Sequence, residues 1–195
     1  MRTLVKLLFV LASVLFSLGA SGQAASSKTS GVYLTAADYT ASQVSYQGVC
    51  GSGDHKLELH DVLNKPYIDV THDHEKRRYP KSGLFGFRAC DGSDYRFGKN
   101  LEYHILEAKA LYIYAREISE SRGRTTSSRR EYYFSVGPEG KILALTLENL
   151  KQAVPDNHRF HDNLDMTFGA GQSLSQYDEF HKMFKVNRLL IASHE

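Results

Sequence analysis

The chain has no tryptophan, only two cysteines in 195 residues, and a single long apolar run. It also lacks the local signatures of the common catalytic folds. No G-x-S-x-G elbow occurs, and Gly169-Ala170-Gly171-Gln172-Ser173 fits neither that pattern nor a phosphate loop, which ends in Gly-Lys-Ser/Thr. H-E-x-x-H and C-x-x-C are missing too, so the zinc-protease and thioredoxin-like readings lose their sequence support. No catalytic residue and no cofactor is assigned. Charge of one sign is scarce as well: 24 Lys and Arg face 22 Asp and Glu, and Arg2 and Lys6 account for the whole excess. The rest of the chain balances, which gives nucleic acid or an anionic membrane no electrostatic hold.

The apolar run stands at the start. Arg2 and Lys6 supply the positive charge, Leu4 to Leu18 is almost wholly apolar, and Gly19, Ala20, Ser21, Gly22 and Ala24 are small. That order is a secretory signal peptide over residues 1–24, with cleavage expected after Ala24. The run is shorter than the ~20 residues a helix needs to cross a bilayer, which weighs against the alternative of an uncleaved anchor. No second segment approaches that length, so no membrane span is expected after cleavage. Residues 25–195 suit one domain, periplasmic or extracellular, burying roughly 70% of its unfolded surface.

Export places Cys50 and Cys90 in an oxidising compartment, and both sit beside turn residues, Cys50-Gly51-Ser52-Gly53 and Cys90-Asp91-Gly92. A disulfide between them is expected, with two separate reduced thiols as the alternative. Residues 25–31 read as a loose terminus. Thr35 with Asp38 then imitates a capping box and starts one short helix.

From Leu57 to Thr146 the apolar and aromatic residues alternate in short runs. Strands are predicted at 57–61, 67–72, 76–79, 83–89, 93–98, 103–107, 111–118, 131–136 and 141–145. A three-residue loop, Cys90-Asp91-Gly92, pairs Phe85 with Phe97, Phe87 with Tyr95 and Arg88 with Asp94. It also puts glycine where a positive φ is needed. Ser119 to Arg130 reads as a mobile polar loop. Its Arg122, Arg124, Arg129 and Arg130 face only Glu120, forming either a lip that attracts an anion or a solvated charge run.

After Thr146 the period turns helical. Thr146 caps a helix to Val154, and Asp156 caps a second with Phe160, Leu164 and Phe168 on one face. Ser175 starts a third to about Ala192, with Tyr177, Phe180, Phe184 and Ile191 inward. The fold class is therefore α+β. An antiparallel β-meander carries a short N-terminal helix, and two or three C-terminal helices pack on one face.

Histidine offers the one route to chemistry. His72 and His74 alternate along a strand-like run, and His158, His161 and Asp165 recur on the second helix, a donor set suited to zinc. The competing reading is surface or capping histidines. Twelve tyrosines supply aromatic strands that, on an open sheet face, would form a platform for a glycan or peptide. Gly31-Val32-Tyr33-Leu34 with Asp38-Tyr39, and the segment from Phe85-Gly86-Phe87-Arg88 to Tyr95-Arg96-Phe97, resemble small exported proteins of Bacteroidota-type bacteria whose function is uncharacterised. The resemblance implies no activity and transfers no catalytic residue. The expected function is a non-enzymatic envelope or secreted binding protein for a glycan, peptide or envelope protein. The alternative is a small hydrolase or metal-dependent enzyme using the histidines.

Overall fold

The computed structural model of the chain describes residues 28–122, 125–169 and 171–194. The expected leader, residues 1–24, and Arg124 lie outside the described residues. Strands β1 (Thr29–Tyr33) and β2 (Ser45–Val49) flank helix α1 (Ala36–Thr40). Next come β3 (Lys56–Glu58), β4 (Tyr67–His72) and β5 (Glu75–Pro80). The chain continues with β6 (Gly86–Arg88), β7 (Asp94–Gly98), β8 (Leu101–Ala108), β9 (Leu111–Arg122), β10 (Thr125–Val136) and β11 (Leu143–Ala144). Helices α2 (Leu147–Ala153) and α3 (His158–Phe168), the hairpin β12 (Tyr177–Asp178) and β13 (Met183–Phe184), and α4 (Lys185–Ala192) end it. Among the described residues no helix is long and apolar enough to cross a membrane.

The strands are antiparallel, but they do not make a simple meander. β6 to β11 run up and down in chain order, while β1 adds beside β6 and β2 forms the outer edge; β3, β4 and β5 make a separate sheet. The cause is a long-range pairing. Val32 opposes Phe87 and Tyr33 opposes Gly86, which draws the N-terminal segment into the large sheet. Residues 29–31, read as a loose terminus, are strand.

The β6–β7 hairpin has the expected register. Phe87 opposes Tyr95, and their rings stack at 4.8 Å; Arg88 opposes Asp94. Arg88 grips that carboxylate through two bonds of 2.8 Å. The Phe97 N–H donates to the Phe85 carbonyl at 2.8 Å. Gly92 closes the turn at φ +88°, a conformation glycine adopts without steric penalty. A Cys50–Cys90 disulfide ties the end of β2 to this turn.

Residues 119–122 and 125–130 are strand, not loop. They are the outer part of the β9–β10 ribbon, with pairing out to Arg122 and Thr125. β8 pairs with β9 only as far as Ala115, so the ribbon runs past the sheet and has no core to face. That explains polar residues on both sides of a strand.

Alternation along β9 sorts the core into two layers. Leu111 and Ile113 join Phe134, Leu150, Phe160, Leu164, Phe168, Val186 and Leu190 under the three C-terminal helices. Tyr112 and Tyr114 point the other way and join Tyr33, Phe85, Tyr103 and Ala36 of α1. Those tyrosines are buried, so they form a second core and not an open platform. A third cluster, with Val32, Ile68, Val70, Phe87 and Phe97, fastens the small sheet to β1, β6 and β7.

Caps explain where the helices start. Thr35 and Asp38 bond reciprocally around α1, Thr146 Oγ1 accepts from the Asn149 N–H, and Asn157, not Asp156, caps α3. The expected helix from Ser175 is a correction, because α4 begins only at Lys185. Asp178 turns the chain by accepting from the N–H groups of Phe180 and His181 at 3.1 and 3.0 Å. The buried Glu107 then takes the Phe184 N–H at 3.2 Å. These bonds compete with the helical ladder, and they leave Phe180 88% exposed instead of facing the core.

Candidate functional site

Three distant segments meet where the small sheet abuts the edge of the large one. β4 ends at His72, Asp73-His74 forms a two-residue turn with φ of +51° and +65°, and β5 returns through Glu75, Arg77 and Tyr79. Across the seam, the ladder of β1 and β2 shifts register between Ser30 and Val32. At this bulge Tyr46 takes φ +50°, a left-handed conformation that is strained for an aromatic residue. Its ring leans on His72 and Tyr79, with centroids 5.9 and 5.6 Å away.

The result is a cavity of about 240 Å³ above Val70. The Tyr79 hydroxyl donates to the Tyr46 hydroxyl at 2.8 Å, and Arg77 donates to Glu75 at 2.6 Å. Burial, then the bond to Tyr46, raises the Tyr79 phenol above its ordinary range. Asp73 adds a second carboxylate to the rim. The walls therefore offer two aromatic faces, one guanidinium and two carboxylates, together with the His72 ring.

Behind His72 lies His55, 4% exposed, with ring centroids 5.8 Å apart. His55 packs so closely on β2 that a Cβ at Gly48 would stand 2.2 Å from its ring, so only glycine fits there. Burial, and then the neighbouring His72, hold the His55 imidazole below its ordinary pKa. The Nδ1 atoms of His55 and His72 are both buried without a hydrogen-bond partner among the described residues. On its other side, His55 Nε2 lies 2.9 Å from the buried Ser30 Oγ, beside a smaller cavity against the disulfide.

The sequence-predicted metal ligands do not come together. His72 lines the tyrosine cavity, whereas His74 sits exposed in the turn and not on a strand. His158 and His161 are neighbours on α3, with centroids 5.9 Å apart. His161 Nε2 is engaged by the Val154 carbonyl at 2.8 Å, and Asp165 accepts from Lys151 through both oxygens at 2.7 Å. Among the described residues the one cluster with metal-ligand spacing is Glu58, His60 and Asp69, which the sequence reading missed. Its carboxylates are already occupied by cations. Asp69 takes Arg78 at 2.8 and 3.1 Å and His60 at 3.0 Å, and Glu58 takes Lys56 at 2.8 Å and Lys76 at 2.5 Å. Arg78 holds the Asp69 carboxyl well below the usual carboxylate range, and Lys56 and Lys76 draw Glu58 down to about 2. The cluster is an ion-pair network that fastens β3, β4 and β5 together.

The arginine lip is also divided. Arg129 pairs with Glu131 at 2.7 Å and Arg130 with Glu117 at 2.5 Å. Arg122 lies on β9, and Arg124 is outside the described residues. No family model, curated protein or solved structure matches the chain.

Proposed function

We propose that the chain is an exported, non-enzymatic binding protein whose ligand presents a single sugar ring to the Tyr46–Tyr79 cavity. The observation that carries this reading is Tyr46, held in a left-handed backbone conformation at the mouth of a cavity. Such strain persists where the surrounding structure imposes it, and it concentrates at binding sites. The chemistry of the walls selects the ligand class. A pure anion meets Asp73 and Glu75, and a pure cation meets Arg77. A neutral polyol can donate to the carboxylates, accept from the guanidinium and the phenols, and lay its C–H face on a tyrosine ring. The volume, below the ~300–1,000 Å³ of drug-sized sites, suits one ring better than an extended chain. The signal-like leader and the disulfide support a place outside the cytoplasm.

Saturation-transfer NMR with a panel of neutral and amino monosaccharides tests the reading. At least one sugar should receive saturation, and Tyr46→Gly and His72→Ala should abolish it in folded protein. Silence across the whole panel would overturn it.

The Ser30–His55 contact favours a second reading, acyl transfer by a serine activated by histidine. Against it, no carboxylate bonds the His55 ring as the third member of a triad among the described residues, and both side chains are buried. Labelling of Ser30 by a fluorophosphonate probe, lost in Ser30→Ala, would establish it over the binding reading.

A further inference from the structure

On the opposite face of the large sheet, three cations border one cavity of about 310 Å³. Arg96 comes from the middle of β7. Lys99 comes from the β7–β8 turn and Lys141 from the loop between β10 and β11. The half-buried Arg96 guanidinium donates to the Tyr114 hydroxyl at 2.9 Å, the Ser135 hydroxyl at 3.1 Å and the Gly140 carbonyl at 2.9 Å. All three acceptors are neutral. Arg88 and Arg78, by comparison, each grip an aspartate. Lys99 and Lys141 make no ion pair or hydrogen bond among the described residues, and no carboxylate lines the cavity. Glu131, beside the lining residues on β10, accepts from the Tyr133 hydroxyl and is paired with Arg129.

A half-buried guanidinium without a counter-ion, with two further free cations beside it, leaves an uncompensated positive potential in a partly desolvated hollow. This occurs in a chain whose charges balance once Arg2 and Lys6 are set aside. The other walls are apolar or aromatic. Tyr103 and Tyr133 meet edge to face at 5.0 Å, and Ile142 closes one side. We propose that this cavity is a second binding site, separate from the tyrosine–histidine seam, for a small organic anion. One carboxylate or phosphate lies among Arg96, Lys99 and Lys141, and a planar apolar body rests against Tyr103, Tyr133 and Ile142. The volume falls at the lower end of small-molecule sites, which suits one ring with one charged head.

Isothermal titration of the disulfide-bonded protein with phenyl phosphate, benzoate and inorganic phosphate at constant ionic strength is the test. Phenyl phosphate or benzoate should bind, and the tighter of the two identifies the head group. Inorganic phosphate should bind about tenfold more weakly because it lacks the apolar body. Lys99 and Lys141 are exposed, so Lys99→Gln/Lys141→Gln should fold normally and lose at least about tenfold in affinity, with each single variant intermediate. Tyr46→Gly should leave the anion affinity unchanged. Three results would each overturn the proposal: no anion binds, the double variant binds like the parent, or inorganic phosphate binds as tightly as the aromatic anions.

Discussion

The helix-covered half of the large sheet and the three-stranded sheet beside it are held by different physics. In the first, Leu111, Ile113, Phe134, Leu150, Phe160 and Leu164 are wholly buried among apolar neighbours. The polar exception is a closed set: Asn187 bonds both the N–H and the carbonyl of Leu111, at 2.7 and 2.9 Å, as well as Glu107. In the second, only Ile68 and Val70 are buried hydrophobics of the small sheet itself, and charge does much of the fastening. Asp69 collects Arg78, His60 and Lys76, while the buried Lys81 meets Glu102 at the boundary with the large sheet. The lesson is a division of labour. Apolar area stabilises the helix-covered half, and polar contacts shape the half that contains the Tyr46–Tyr79 cavity.

Removing apolar volume from the first half should have the largest effect. Phe160→Ala should lower the unfolding free energy by about 3–5 kcal/mol in a urea titration, because it leaves a cavity in the closely packed layer. A smaller loss would mean that the helices pack less tightly than the contacts imply. Next, Cys50→Ala/Cys90→Ala should cost about 2–4 kcal/mol by freeing a long loop of the unfolded chain. Hydrogen exchange should then speed up at Ile68 and Val70 and stay slow at Ile113. Equal acceleration at all three would show the two halves unfolding as one unit.

Acid should separate the halves further. Asp69 and Glu58 have depressed pKa values in the folded state, so their contribution is complete above about pH 5, past the unfolded carboxylate range, and is lost as pH falls through about 2 and below. Amide exchange in β4 should rise over that window while β9 stays protected, and Asp69→Asn should flatten the response. A β4 protection profile independent of pH would remove the network from the account. The smallest effect belongs to Tyr46. Replacing it with glycine relieves a left-handed residue and loses a ring, so stability should stay within about 1 kcal/mol of the parent. Tyr46→Ala keeps the strain and loses the ring, so by thermal melts it should be the less stable of the two.

Much of the fold was legible because its signals are local. Gly92 and the Arg88–Asp94 pair determine one hairpin register, Thr146 caps the start of α2, and Phe160, Leu164 and Phe168 mark the buried side of α3. What sequence reading missed depends on distant partners. β1 is a strand because Val32 meets Phe87, and nothing near residue 32 encodes that meeting. The helical pattern from Ser175 gave way to Asp178 and to Glu107, a carboxylate on another strand. The polar stretch after Ile118 looked like a loop because a ribbon that outruns its sheet needs no apolar side. The site was legible only at His72. Tyr46, His55 and Tyr79 come from separate segments, and a positive φ at tyrosine has no sequence signature.

The disulfide has a consequence beyond the loop it closes. β2 is the outermost strand of the large sheet, with one side of its backbone unpaired by any neighbour in that sheet. Cys50 follows directly after it, and Cys90 anchors it to the tip of another hairpin. A clamped border cannot peel away to zip onto the matching border of a second molecule. Reduction would release that clasp, and size-exclusion chromatography before and after thiol treatment would reveal whether oxidation is what keeps neighbouring copies apart.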